Sequence, residues 1–404
     1  MNLQSSLGDI KKRILFLPTL GFAHVTRTLM LAKELASEFE VRIAISRQFL
    51  SLAEELRIDT RLVDLPVVDY DKFARGESVF DTEEIVERFA ATYGAVLDEF
   101  KPHGVVSSMP MAARIPIRAR RIPHVTIFDA CNHPQFRLPE ELNEEQESER
   151  IERANLMLGR LNAVAKRMNA PEEKSLRMLF IADFNVLPDL PSLFPIREPP
   201  RSFVYMGPVT WKGTGKPLDP AVAIDANKPL VYVTMGSSGN REHMKTIAEG
   251  LRASRFQVVM TTGGVIGARE MKSYERPGFY VRDFLPGDKV IASSQQTIVI
   301  CHGGIGTVYQ ALEHKARGII VIPAHQQHRR IGNRLAEIGL GRRVTESDLP
   351  GVVEVVDQLL ATPHHTAPID IETDLQTYTG APLGKKLIAA FIRRSASASS
   401  FRLP

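Results

Sequence analysis

Two cysteines among 404 residues, Cys131 and Cys301, exclude a disulfide framework, and their wide separation gives no zinc-ligand spacing. Both read as buried and inert. No apolar run approaches the roughly 18 residues that cross a bilayer, and the opening MNLQSSLGDIKKR lacks the apolar core of a signal peptide. The chain therefore reads as cytoplasmic. The positive excess is only +4, too mild to argue for a nucleic-acid partner. Its one local concentration is MAARIPIRARRIP, where Arg114, Arg118, Arg120 and Arg121 interleave with Ile115, Ile117 and Ile122. That pattern fits either a solvated helix face packed on one side or a weak peripheral contact with anionic lipid.

What is present is length and an alternating pattern. A chain of 404 residues fits two α/β domains of roughly 150 to 200 residues each. The first begins with an apolar run, Arg13 to Pro18, a turn, and a helix pattern from Val25 to Ser37 with Leu29, Leu31, Ala32 and Leu35 at near-helical spacing. Val41 to Ile45 completes a βαβ unit. Further strands are expected at 61–66, 104–109 and 124–129, one or two exposed helices in the charged piece from Pro139 to Asn169, and another helix at 171–179. Proline, glycine and short polar residues cluster from Gly207 to Pro229, a linker signature. A second strand–turn–helix series then runs from Leu230. The expected organisation is an amino-terminal Rossmann-like domain, 1–206, a linker, 207–229, and a carboxyl-terminal Rossmann-like domain, 230–404, whose last helix crosses back. Ligands of such open sheets bind at the carboxyl ends of the strands, here in the cleft between two doubly wound domains.

Three segments carry chemistry. In IVICHGGIGTVYQALEH a buried strand ends at His302, Gly303 and Gly304 turn the chain, and a helix starts near Gly306 and Thr307. Backbone N–H groups at such a helix start can cradle a diphosphate, with the Thr307 hydroxyl and His302 as added donors. Taken alone, this turn is as consistent with a tight structural corner as with a phosphate site. TMGSSGN supplies a second turn in the same domain, through Gly236, Ser237 and Ser238. VRDFLPGD offers Phe284 to stack on a base and the Leu285 peptide groups to read its edge, or else Phe284 as core. In the first domain, His24 in GFAHVTR lies between the first strand and its helix; an imidazole with an ordinary pKa near 6.5 suits a general base, and the position also fits a cap of the helix start or a phosphate ligand.

Together these segments resemble the UDP-glycosyltransferase superfamily of GT-B fold nucleotide-sugar glycosyltransferases, from FLPTLGFAHVTRTLMLAKEL through VRDFLPGDKV and HGGIGTVYQAL to NRLAEIGLG. Phe284 and His302 stand 18 apart, as do that family's base-stacking Trp and phosphate-binding His. The resemblance implies a nucleoside-diphosphate sugar donor, UDP- or dTDP-linked. Gly236, Ser237, Ser238, His302, Gly303, Gly304, Gly306 and Thr307 would hold its diphosphate, and Phe284 with Leu285 its base. It also implies inverting transfer to a hydroxyl of a small-molecule or natural-product acceptor, no cofactor and no metal, with His24 as base.

Departures from the pattern are equally specific. Gly287 replaces a Gln, and Gln310 stands where the family has the Glu that holds the ribose hydroxyls. The pair that grips donor-sugar hydroxyls falls on Gln326 and Gln327, or on Gln327 and His328, without a carboxylate in either register. A deoxygenated or substituted sugar fits that loss. Ser108 occupies the position of the family's His-orienting Asp, and Asp129 in TIFDACNH is the substitute expected from the sequence. Two other readings compete: a non-catalytic glycosyltransferase-like activator or scaffold, favoured by the missing acidic residues, and a nucleotide-sugar epimerase of the same fold.

Overall fold

The alternation of apolar runs with amphipathic stretches produces two wholly parallel sheets. The structure is a computed structural model that describes residues 11–19, 21–66, 80–109, 111–133, 144–211, 217–236, 239–362 and 369–399. The amino-terminal sheet contains β1 (Arg13–Pro18), β2 (Glu40–Ile45), β3 (Asp59–Leu62), β4 (Gly104–Ser108), β5 (His124–Ile127), β6 (Phe184–Leu187) and β7 (Phe203–Tyr205), in the order β3-β2-β1-β4-β5-β6-β7. The carboxyl-terminal sheet contains β8 (Leu230–Thr234), β9 (Gln257–Thr261), β10 (Phe279–Arg282), β11 (Thr297–Cys301), β12 (Gly318–Val321) and β13 (Gly341–Arg343), in the order β10-β9-β8-β11-β12-β13. Central strands such as β4, β8, β11 and β12 are buried along their whole length, as parallel strands covered on both faces must be.

Each sheet reverses its winding once, between β1 and β4 and between β8 and β11. A crevice opens at such a point because the two connections leave in opposite directions. In the first, β1 pairs with β4 through Pro18 and Ser108, and helix α1 (Phe22–Leu35) follows β1 with Val25, Leu29, Ala32 and Leu35 buried at helical spacing. In the second, β8 pairs with β11 through Thr234 and Cys301, so Gly236 and His302 emerge side by side.

The last helix, Ala381–Ser399, lies on the amino-terminal domain. Ile388, Ala389 and Ile392 enter the core formed by α1, β1 and β2, and Phe391 stacks on Phe184 with ring centroids 5.3 Å apart. Gly104 leaves room for it, since a Cβ there would stand 2.1 Å from Ile392 Cδ1. The entry turn is set by Gly380 at φ +71°, whose N–H donates to Met206 O at 2.7 Å.

Local tertiary bonds move several elements from their expected places. A helix over 171–179 is replaced by a short 3-10 turn at Leu176–Phe180. Asn162 holds the Glu173 backbone by bonding both its N–H and its carbonyl at 2.8 Å, and the Glu173 carboxylate is drawn to Arg114 and Arg118. The charged piece forms one helix, Glu144–Arg167. The third strand is Asp59–Leu62, earlier than expected, and β6, β7 and β13 are additional short strands. In the basic stretch Ile115 and Ile117 are buried, while Arg120 pairs with Asp98 at 2.6 Å. The arginines at 114, 118 and 120 thus serve intradomain ion pairs. No helix among the described residues is long and apolar enough to cross a membrane.

Candidate active site

Four glycines shape the carboxyl-terminal crevice. Gly236 has φ +58°, and a Cβ there would lie 2.5 Å from His302 Cε1. Gly304 would place a Cβ 2.7 Å from His302 Nε2, and Gly303, at φ +93°, would place one 2.8 Å from Val321. Only glycine lets the chain turn so closely around the imidazole. Gly263, at φ +60°, approaches Gly236 so closely that its Cβ would meet the Gly236 carbonyl at 2.4 Å. Helix α2 (Ile305–Glu313) starts at this cradle with Gly304 as N-cap and no side-chain cap, so its first N–H groups are offered to a ligand. Thr307 is half-buried on its first turn, and beside Gly306 there is open space. Ser237 and Ser238 lie outside the described residues.

Phe284 is 71% exposed, the most exposed large hydrophobic side chain among the described residues. A Cβ on Gly264 would touch its ring edge at 3.9 Å, so the core reading of Phe284 does not hold. Leu285 beside it is partly buried against the core. Gln310 donates its amide to Trp211 O at 3.0 Å, and its Oε1 points to Gly287, where a Cβ would come within 3.2 Å. The amide oxygen is therefore presented as an acceptor, as a carboxylate oxygen would be. Gly287 opens this space.

The helix carrying the glutamines is Gln326–Glu337, with His325 as N-cap. His328 is buried and its ring packs against His302 and His325, with centroids at 4.5 and 3.5 Å. The His328 side chain thus faces the His302 turn. Gln326 is half-buried beside it, and Gln327 turns toward the other domain. Burial lowers the pKa of His302 and of His325 to about 4 each, with His325 adding to the shift of His302. Burial and both neighbours push His328 still further down.

In the amino-terminal crevice His24 sits in the first turn of α1, not ahead of it, and its Nδ1 is 2.7 Å from Ser108 Oγ at the end of β4. Asp129, expected to orient this imidazole, is engaged elsewhere. It accepts from Arg27 Nη1 at 2.5 Å and from Gln327 Nε2 at 3.3 Å. Its influence on His24 is through space only. Burial lowers the His24 pKa to about 4, with the Asp129 carboxylate opposing the shift and the Arg27 guanidinium adding to it.

Arg27, Asp189 and Tyr309 were not legible as site residues. Arg27 and Asp129 are both nearly buried, at 6% and 9% exposure. Burial disfavours the Asp129 carboxylate, but attraction to Arg27 and His24 and the Arg27 hydrogen bond outweigh it, and its pKa falls. Asp189 takes the remaining share of one cation. Burial and the Asp129 charge raise it to about 7, and it accepts from Tyr309 Oη at 3.0 Å and Ala130 N at 2.7 Å. Tyr309 comes from the other domain, so this network spans the cleft. A faint signal existed: Arg27 follows His24 by three residues, on the same helix face.

A small apolar recess adjoins the crevice, lined by Leu17, Phe80, Phe89, Tyr93, Met109 and Met111 among others. Met109, directly after Ser108, adopts φ +57°, a strained conformation for this residue. Among the described residues no group of three His, Cys, Asp or Glu side chains has the arrangement to hold a metal ion. An Asp-x-Asp spacing does occur at Asp69 and Asp71, outside the described residues.

Comparison with known proteins now bears on this geometry. Residues 230–370 match the model of the glycosyltransferase family 28 C-terminal domain. A PGL/p-HBAD biosynthesis rhamnosyltransferase of Mycobacterium bovis (strain BCG / Pasteur 1173P2) is 26% identical over 326 residues, covering 76% of this chain and 71% of the relative. A PGL/p-HBAD biosynthesis glycosyltransferase of Mycobacterium tuberculosis (strain ATCC 25177 / H37Ra) is 26% identical over 385 residues, 87% of this chain and 85% of the relative. The chain is a glycosyltransferase. Its fold is that of GT-B glycosyltransferases: the kitacinnamycin glycotransferase structure superposes with a TM-score of 0.73 at 17% identity, over 95% of this glycosyltransferase and 99% of that chain.

Proposed function

We propose that this glycosyltransferase moves a deoxyhexosyl group, of which rhamnose is the type, from a UDP- or dTDP-linked donor to a hydroxyl of an apolar natural-product or glycolipid acceptor. It does so in the cytoplasm, with inversion and without a metal. The observation that carries the reading is the pairing of the glycine cradle around His302 with the exposed ring of Phe284, which together fit a nucleoside diphosphate. Gln327 in place of a carboxylate supports a sugar with fewer hydroxyls to grip, and the relative from M. bovis bears the name rhamnosyltransferase.

In this reading the donor base stacks on Phe284, the ribose hydroxyls meet Gln310 Oε1, and the diphosphate lies across Gly236, His302 and the start of α2. Ser108 holds His24 through Nδ1 and leaves Nε2 to take the acceptor proton. The acceptor oxygen attacks the anomeric carbon as the diphosphate departs. Preorganised N–H groups of the helix start stabilise the charge that develops on the leaving oxygen. An imidazole with a pKa near 4 is a weak base, and an anionic donor beside it raises that value toward the working range.

Isothermal titration with UDP and dTDP, followed by mass spectrometry of mixtures with phenolic and lipid acceptors, tests this. Tight binding and a product heavier by one deoxyhexosyl group are expected, and His24→Ala should abolish the product while retaining the nucleotide. Absence of binding by every nucleoside diphosphate overturns the reading. Binding without turnover across the acceptor set would favour the activator or scaffold role instead.

A further inference from the structure

The diphosphate cradle contains more imidazole than one phosphate-binding histidine explains. His302 is 7% exposed and His328 is 6% exposed, and the Nδ1 atom of each is buried without a hydrogen-bond partner. A buried polar nitrogen left unmet costs free energy unless something else supplies its partner. The rings of His302, His328 and His325 lie against one another in sequence, with centroids 4.5 and 3.5 Å apart. His325 is only half-buried and forms the outer end of this stack.

The surroundings are built to keep the nitrogens of His302 open. Gly236 and Gly304 flank the ring: any Cβ at Gly236 would stand 3.2 Å from Nδ1, and one at Gly304 would stand 2.7 Å from Nε2. At these two positions the chain contributes backbone and no side chain. From the third element, the start of the Gln326–Glu337 helix, come His325 and His328 themselves. Among the described residues the charged groups that act on the cluster are its own members; no carboxylate does. Arg330, on the same helix, donates to Cys131 O at 3.2 Å, and the carboxylate of Asp129 meets Arg27 and Gln327 and none of the three histidines. Three adjacent imidazoles with no counter-ion stay neutral while the cradle is empty.

We propose that His325 and His328 extend the diphosphate site begun by His302, and that a nucleoside diphosphate binds there together with a proton taken from solvent onto the imidazole stack. This deepens the nucleotide-site reading above and rests on it. The anion supplies the missing counter-charge, so the cation forms only in the complex. An N–H bond forms on an imidazole as the matching bond of hydronium or a buffer acid breaks, and the conjugate base stays in solution. The free nucleoside diphosphate carries one more negative charge than the sugar nucleotide, so it draws the proton more strongly than the donor does. The cluster then neutralises the leaving group as transfer proceeds.

Calorimetric titration of the full chain with UDP and with dTDP at pH 7.5, in two buffers of different ionisation enthalpy, counts the protons. At this pH the terminal phosphate, with a second pKa near 6, is already ionised and adds little of its own. Uptake of about half to one proton per site is expected, with affinity falling as pH rises from 7 to 8.5. His325→Gln combined with His328→Gln should lose most of that uptake while nucleotide still binds through His302 and α2. Binding with heats that are independent of the buffer, or uptake undiminished in the double variant, overturns the proposal while leaving the nucleotide site intact. Failure of both nucleotides to bind overturns the nucleotide site and this proposal together. Should the double variant fail to fold, the two-buffer measurement on the unaltered chain decides alone.

Discussion

His24 Nδ1 lies 2.7 Å from Ser108 Oγ, across the point where the amino-terminal sheet reverses its winding. A hydroxyl here can fix the ring, but it brings no charge to support an imidazolium, and the His24 pKa stays near 4. The acid limb of kcat/KM should accordingly fall well below pH 6. Ser108→Ala removes one hydrogen bond and should slow transfer roughly 2- to 10-fold. Ser108→Asp should move the acid limb upward, because a carboxylate favours the charged ring. His24→Gln should cost roughly 10²- to 10⁴-fold. A rate profile recorded from pH 4 to 9 on the three variants checks all of this, and an unmoved limb in Ser108→Asp would remove Ser108 from the mechanism.

Phe284 touches little of its own protein, so its substitution separates binding from folding. Phe284→Ala should weaken nucleoside-diphosphate binding by about 1–3 kcal/mol, roughly 5- to 150-fold, while the melting temperature of the free protein hardly changes. Titration calorimetry with a thermal scan measures both.

Asp189 should leave a signature in the pH dependence of stability. Its carboxyl is raised by burial to about 7, against about 3.9 in an unfolded chain, so between those values the folded protein holds the extra proton. The stability this group contributes is full below about pH 4 and is lost as pH rises through about 7. Asp189→Asn should therefore flatten the fall in denaturant midpoint between pH 5 and 8. An equally steep fall in the variant would mean that Asp189 is ionised throughout.

Asp129 ties two events together. Asp129→Asn leaves Arg27 buried without its principal partner, a change that costs about 3–5 kcal/mol when nothing compensates. Asp189 then loses a repelling neighbour, ionises more readily and offsets part of that cost. Because the Asp129 charge raises the His24 pKa, its removal should move the acid limb of the rate to lower pH. Loosening of Gln327 should raise the donor KM at the same time. Thermal melts and steady-state kinetics at several donor concentrations distinguish these effects.

Much of the architecture was legible because buried parallel strands are apolar throughout and the glycine turns stand at their ends. His302, Gly304 and Phe284 were visible for that reason. The pairings that decide the chemistry were not. Ser108 is 84 residues from His24, and Asp129 is 198 from Gln327, so the sequence suggested Asp129 for a task that Ser108 performs. Strands β6, β7 and β13 are only three or four residues long and carry no readable period. The expected helix at 171–179 failed because Asn162, outside it, claims the Glu173 backbone. The packing of His328 on His302 depended on where its helix begins, and helix starts are the least determined part of an amphipathic pattern.

The packing of the helix Ala381–Ser399 onto α1 also dictates an order of events during synthesis. The ribosome emits the chain from its amino terminus, yet Ile388, Ala389 and Ile392 are needed to close the first domain's core. The face of α1 and the gap at Gly104 stay unfilled while the whole second domain is being made. A nascent amino-terminal domain is thus an unfinished object that exposes apolar surface, and a fragment ending near residue 206 should aggregate unless this helix is added in trans.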